Sequence, residues 1–163
     1  MTTPIPAAIS GSHQSDRLVG HPQLTSVLHG LGGDDVLIGS RHSDTLIGGP
    51  GRDTLTGGPG ADLFVLEGVD RIIDFEPDEG DLLVLSRRAI PAFPAGQLTI
   101  TRVHDTRLVP FSARSSVTLI YDISTGDLYL NANGRRPGFG ANGGLIAQLG
   151  SVDLGIESIA VIP

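Results

Sequence analysis

Residues 30–65 read GLGGDDVLI, GSRHSDTLI, GGPGRDTLT and GGPGADLFV, one nine-residue phrase in four consecutive copies. Glycine opens each copy, aspartate holds the sixth place and an apolar residue the eighth. A period this short predicts a stacked solenoid rather than a globular core. The register extends backwards. Gly11 to Val19 (GSHQSDRLV) matches Gly39 to Ile47 at Gly, Ser, Ser, Asp and Leu, and a degenerate ten-residue unit, Gly20 to His29, lies between, with Ser26 where aspartate is expected. Six units are therefore expected.

Within each unit the first six residues read as a turn and the last three as a very short strand. The middle strand residue is Leu18, Leu28, Leu37, Leu46, Leu55 or Phe64. Strand side chains alternate between faces, so this residue points to one side and its neighbours to the other. Two units per coil (strand, turn, strand, turn) would stack parallel strands into two small facing sheets around a column of leucine and phenylalanine. The fold class expected is all-β: a short parallel β-roll solenoid followed by a small strand-rich C-terminal region. A column of six side chains is a thin core, so folding is expected to depend on bound ions as well.

The organisation expected is a flexible N-terminus over 1–10, a roll with closing strands over 11–88 and a strand-rich region over 89–163. In DRIIDFEPDEGDLLVLS, two apolar stretches flank an acidic turn at 76–81, which reads as a strand, a turn and a strand closing the roll's open end. A Pro-containing connector spans 89–96. Strands are expected at 97–102 and 116–121, and the DISTGD turn at 122–127 makes 117–130 the clearest hairpin. A Gly-rich loop at 135–144, a short apolar strand or helical turn at 145–149 and a last strand at 156–162 complete the chain.

Composition narrows the function. Eighteen acidic against 11 basic residues give a net charge of −7, which disfavours nucleic acid and favours cations as partners. The absence of cysteine excludes disulfides and thiolate metal sites. No apolar run is long enough for a transmembrane helix. The opening MTTPIPAAISGSHQSD lacks a basic start followed by an apolar run, so no conventional cleaved signal peptide is expected. Neither HExxH nor GxSxG occurs, and the five histidines fall in turns, repeats or a loop; the chain is expected not to be an enzyme.

Calcium takes six to eight oxygen ligands, some charged and some from backbone carbonyls. A glycine turn can aim several carbonyls inward, and the sixth-place aspartate adds a carboxylate. Alternate units share an edge of the coil, so Asp35 should stack over Asp53 and Asp44 over Asp62. Such pairs repel unless a cation lies between them.

Gly48 to Thr56 and Gly57 to Val65 match the nonapeptide GGxGxDxUx, and on these residues the chain resembles the hemolysin-type, repeats-in-toxin (RTX) calcium-binding family. The resemblance implies several calcium ions lying between successive turns of one edge. One turn gives oxygens from its second, fourth and sixth places and the next from its first, third and sixth. Carried over, one site would use the carbonyls of Leu31, Gly33, Gly48 and Pro50 with Asp35 and Asp53. The opposite edge would offer the Ser40, His42, Gly57 and Pro59 carbonyls with Asp44 and Asp62. A third set is Ser12, Gln14, Gly30 and Gly32 with Asp16 and Asp35. At the far end Gly49, Gly51 and Asp53 would be completed by Asp70, or Gly58, Gly60 and Asp62 by Asp74 or Asp81. Ser40 and His42 replace two glycines, which weakens or strains the Asp44 edge, and Asp34 falls at a solvent-facing place.

The C-terminal residues 97–163 resemble more loosely the strand-rich tail that follows such repeats, which implies a secreted or cell-surface protein exported in one step by type I secretion machinery. The alternative is a calcium-stabilised interaction or surface-assembly protein, or an accessory to a secreted hydrolase. Its outward residues Val36, Ile38, Ile47, Leu63 and Val65 would either pack against 97–163 or form a homo-oligomer or partner face.

Overall fold

The structure is a computed structural model that describes residues 5–86, 99–104, 119–131, 144–150 and 152–162. Its strands are β1 Ala7–Ser10, β2 Arg17–Val19, β3 Ser26–His29, β4 Val36–Ile38, β5 Thr45–Ile47, β6 Thr54–Thr56, β7 Leu63–Leu66, β8 Asp70–Ile72, β9 Leu82–Ser86, β10 Ile100–Val103, β11 Leu119–Asp122, β12 Asp127–Leu130, β13 Gly144–Gln148 and β14 Ile159–Ile162. They form two sheets. One runs β1-β3-β5-β7-β9-β14 and the other β10-β11-β12-β13-β8-β6-β4-β2. From β1 to β9 successive strands therefore alternate between sheets, as two units per coil require, whereas β10 to β13 all join the second sheet.

The register is parallel and places Leu18, Leu37 and Leu55 in one row and Leu28, Leu46 and Phe64 in the other. All six are buried. Ile9, Ile72 and Leu83 lengthen the rows to either side. Two features depart from the sequence reading. Ala7–Ser10, expected within a flexible leader, is β1 and pairs with β3. The segment 69–86 has the expected strand, acidic turn and strand, but they form one more coil rather than the end of the roll: β8 pairs with β6, β9 with β7, and the turn between them contains a short 3-10 helix at Pro77–Glu79. Phe75 in this turn packs edge-on against Phe64, with ring centroids 5.9 Å apart.

The C-terminal strands continue these sheets. β13 pairs in parallel with β8 and β14 with β9, and each takes up backbone groups that the last coil would leave open. The expected hairpin is present, with Asp122 opposite Asp127, and its Leu119, Tyr121, Leu128 and Leu130 belong to the same apolar cluster as the roll. The Tyr121 hydroxyl donates to the Gly150 carbonyl (2.8 Å) and accepts from the Val152 N–H (3.1 Å). Arg102 pairs with Asp153 at 2.9 Å. The last strand begins at Ile159, after a 3-10 turn at Ile156–Ser158. Because the described C-terminal strands join edge to edge, Val36 stays exposed, while Ile38, Ile47, Leu63 and Val65 are half-buried. The expected connector 89–96, the starts of the strands expected at 97 and 116, and most of the Gly-rich loop 135–144 lie outside the described residues.

The turns explain the glycines. In units 48–56 and 57–65 the second and fourth places have positive φ: Gly49 99°, Gly51 154°, Gly58 88° and Gly60 139°. A Cβ on Gly49 would also collide with the Leu31 carbonyl of the coil before it. Gly32 differs, since its Cβ would meet only His13 Nδ1 at 3.5 Å and the Pro50 carbonyl oxygen at 3.7 Å. Gly49→Ala should destabilise the folded roll by about 2 kcal/mol or more, because strain and collision add, whereas Gly32→Ala should change it by less than about 1 kcal/mol. Urea unfolding of both variants in saturating calcium measures the difference.

Candidate metal centres

Along each edge the aspartates form a ladder. The Asp16 N–H donates to Asp35 Oδ1 (2.8 Å), the Asp35 N–H to Asp53 Oδ1 (2.8 Å) and the Asp53 N–H to Asp70 Oδ1 (3.4 Å). On the other edge Ser26 donates to Asp44 (2.5 Å), Asp44 to Asp62 (2.7 Å) and Asp62 to Asp81 (2.9 Å). One oxygen of each carboxylate thus ties its turn to the coil before. The second oxygens of Asp35, Asp53, Asp62 and Asp70 have no hydrogen-bond partner, although each residue is at most 1% exposed. An unpaired buried anionic oxygen is costly and calls for a counter-charge.

Carbonyl oxygens lie beside the Oδ2 atoms of Asp35, Asp44 and Asp16. A Cβ at Gly30 would strike both Asp35 Oδ2 and the Gly48 carbonyl oxygen, and one at Gly39 both Asp44 Oδ2 and the Gly57 carbonyl. At Gly11 the same point lies beside Asp16 Oδ2 and the Gly30 carbonyl. The Leu31 carbonyl faces Gly49, the Gly33 carbonyl Gly51, the Ser40 carbonyl Gly58 and the His42 carbonyl Gly60, while the Gly49 and Gly51 carbonyls face Gly68. Pro50 O accepts the Gly33 N–H at 3.3 Å and Gly51 O the Val69 N–H at 3.1 Å. The Gly32 N–H donates to the Ser12 carbonyl at 3.3 Å, and Pro59 lines a shallow acidic hollow with Gly58, Asp74, Glu76 and Glu79. Leu31 holds φ at 81°, unusual for a residue with a Cβ. Such strain persists only where the surroundings enforce it.

This donor set fits a hard cation: carboxylate oxygens with an open coordination direction, carbonyls nearby and glycine in place of any side chain that would fill the gap. Among the described residues no three His, Asp or Glu side chains converge on one point, so backbone oxygens would have to supply most of the ligands, and His42 lacks companions for a side-chain site.

At the far end of the second edge the two candidates have different places. Asp81 continues the ladder. Asp74 accepts the Gly57 and Gly58 N–H groups at 2.9 and 2.8 Å, and Glu79 that of Gly60 at 3.2 Å. Asp74 therefore meets the turn it is expected to complete, but through that turn's N–H groups, and the Glu79 contact is one that only the density of acidic residues in 74–81 signals in the sequence. Asp34 is exposed as expected, yet it accepts the Arg52 N–H at 3.0 Å.

Burial pushes the Asp70 carboxyl up to about 8, with the Asp53 charge adding to it. Burial likewise raises Asp62 to about 6, helped by Asp81, Asp44 and Asp74, and lifts Asp53 and Asp81 above the ordinary value of 3.8. A carboxyl whose pKa is higher folded than unfolded binds more protons in the folded state, so its burial costs stability as pH rises through that window. The metal-free roll should therefore lose stability as pH rises from the ordinary carboxyl value of 3.8 through about 6 and about 8, where the folded Asp62 and Asp70 ionise. With calcium the trend should reverse, because ligands must be deprotonated. Urea midpoints at pH 5 and pH 8, with chelator and with calcium, check both signs.

A family model described as the RTX calcium-binding nonapeptide repeat (4 copies) matches residues 29–64 and 38–71. No curated protein matches. Among solved structures, the AlgE6R2 subunit of the mannuronan C5-epimerase from Azotobacter vinelandii is similar over 98% of this chain and 96% of that one, at 22% identity and a TM-score of 0.60. The extracellular lipase LipA from Serratia marcescens is similar over 95% of this chain, at 21% identity and a TM-score of 0.57, but this chain spans only 21% of the lipase's length. These likenesses show the fold. Residues 29–71 thus match the RTX calcium-binding nonapeptide repeat, and in the structure they form part of a parallel β-roll.

Proposed function

We propose that this chain is a secreted or cell-surface calcium module, without catalytic activity of its own, whose roll folds when the ion binds. The observation that carries the reading is the set of buried, unpartnered carboxylate oxygens at Asp35, Asp53, Asp62 and Asp70. The ligands are the carbonyls of Leu31, Gly33, Gly48 and Pro50 with Asp35 and Asp53, and at the next step of that edge Gly49 and Gly51 with Asp53 and Asp70. The sets that would draw on Asp16 (with Gly30, Gly32 and Asp35) or on Asp44 (with Ser40, His42, Gly57, Pro59 and Asp62) stand apart, because those two Oδ2 atoms already accept the Ser12 and Ser40 N–H groups at 2.6 Å. When bound, calcium supplies the positive charge that offsets stacked carboxylates. The carboxylates in turn oppose folding at low calcium, since like charges and desolvation both penalise the closed coil. A ligand that binds only the folded state stabilises it by mass action.

Export fits this chemistry. A chain that stays open inside the cell, where calcium is scarce, and folds outside suits passage through type I secretion machinery, with 89–163 as the export-associated part. A second reading, a surface-assembly protein, is favoured by the apolar residues Val19, Val36 and Ile73 exposed along one sheet face; sedimentation with and without calcium separates a monomer from an assembly.

Asp53 belongs to the turn shared by two sites, whereas Asp34 only caps one N–H. Asp53→Ala should raise the calcium midpoint for folding about tenfold or more, and Asp34→Ala less than about threefold, as each 1.4 kcal/mol is a factor of ten. Calcium titration by circular dichroism reads both; equal shifts would sink the ligand assignment.

A further inference from the structure

Two of the turns close differently from the rest, and both carry serine at the second place. In 11–16 (GSHQSD) the Ser12 N–H donates to Asp16 Oδ2 at 2.6 Å, and in 39–44 (GSRHSD) the Ser40 N–H donates to Asp44 Oδ2 at 2.6 Å. The serine hydroxyl oxygen then accepts the fourth-place N–H, from Gln14 at 3.1 Å and from His42 at 3.2 Å. Ser12 Oγ also donates to Asp16 Oδ2 at 2.8 Å. The oxygen left open at Asp35, Asp53 and Asp62 is thus engaged inside its own turn at Asp16 and Asp44.

The backbone differs in parallel. Positive φ occurs at the second and fourth places of 30–35, 48–53 and 57–62, but not at Ser12, Gln14, Ser40 or His42. The sign of φ sets which way the adjoining peptide planes face, and the fourth-place carbonyls differ accordingly: a Cβ on the facing glycine would collide with the Gly33 oxygen but lie 2.9 Å from that of Gln14 and 3.2 Å from that of His42, while the Ser40 carbonyl keeps the placement of Leu31's. Leu31 shows that glycine is not itself the requirement: its turn keeps positive φ and an open Asp35 oxygen. The same N–H to Oδ2 bond and the same hydroxyl cap recur on opposite edges of the roll. They belong to the GSxxSD phrase rather than to its surroundings, and a side-chain oxygen that captures nearby N–H groups is the ordinary behaviour of serine and aspartate in turns.

Resting on the calcium reading above, we infer that serine at the second place decides which turns take an ion: 11–16 and 39–44 are self-closed, metal-independent turns, and calcium is held by the turns of Asp35, Asp53 and Asp62. The N–H and the ion compete for one carboxylate oxygen, and in the serine turns the N–H is built in. The set Ser40, His42, Asp44, Gly57, Pro59 and Asp62 would then gain an ion only when its serine turn is replaced by a glycine one.

Counting bound calcium on the full chain by native mass spectrometry tests this, with circular dichroism at saturating calcium reporting the fold. Asp53→Asn should lose at least one ion, Asp44→Asn should keep the wild-type number, and the double variant Ser40→Gly, His42→Gly should gain one. Loss of an ion in Asp44→Asn, or a folded double variant with no gain, overturns the inference while leaving the calcium reading intact. If Asp44→Asn does not fold, the double variant alone decides. A wild-type chain that takes up no calcium overturns the inference together with the reading beneath it.

Discussion

The bond from each aspartate N–H to the carboxylate one coil further on governs this molecule. It spans 17 to 19 residues of sequence, sets the coil length and draws the carboxylates of Asp35, Asp44, Asp53, Asp62, Asp70 and Asp81 inside the edge. Once there, the carboxylate has satisfied a backbone donor with one oxygen and lost water around the other. The same interaction that stacks the coils therefore creates the charge problem that the coils must solve. Hydrogen bonding to the charged form favours ionisation, desolvation and neighbouring carboxylates oppose it, and burial dominates at Asp62 and Asp70.

Both edges meet this constraint, but not in one way. Where glycine or Leu31 fills the second place, the turn opens its carbonyls and leaves the carboxylate oxygen free. Where serine fills it, the turn closes on itself. At the far end of the second edge Asp74 and Glu79 take turn N–H groups directly, and Asp81 receives the Glu76 N–H at 2.8 Å. Each coil can thus rest on its neighbours through identical strand pairing while the chemistry of its corners differs. The β13 and β14 strands then seal the last coil by joining both sheets, so the roll and the described C-terminal strands share one apolar cluster.

Much of this was legible in the nine-residue phrase. Its period set two units per coil, its eighth place marked Leu37, Leu46, Leu55 and Phe64 as inward, and its sixth place marked the carboxylates. Less was legible where the spacing changed. The strands β8 and β9 were legible but not their place as a further coil, because Asp70 and Asp81 follow their partners by 17 and 19 residues rather than 18; β1 was hidden because its unit has no sixth-place aspartate. The return of β13 and β14 to β8 and β9 is non-local pairing, which no local pattern encodes. The serine turns were visible as a shared phrase in 11–16 and 39–44, but the capture of Oδ2 depends on backbone direction, and only three-dimensional geometry shows it.

If the buried carboxylates are balanced as proposed, a cation occupies the space between the turns of Asp35 and Asp53. A crystal structure grown in calcium, with anomalous scattering used to locate the ions, tests it most directly. A calcium peak is expected about 2.3–2.6 Å from Asp35 Oδ2 and from the Leu31 and Gly48 carbonyl oxygens. A folded roll at neutral pH with water or nothing at that position, and Asp35 Oδ2 still without a counter-charge, would contradict it.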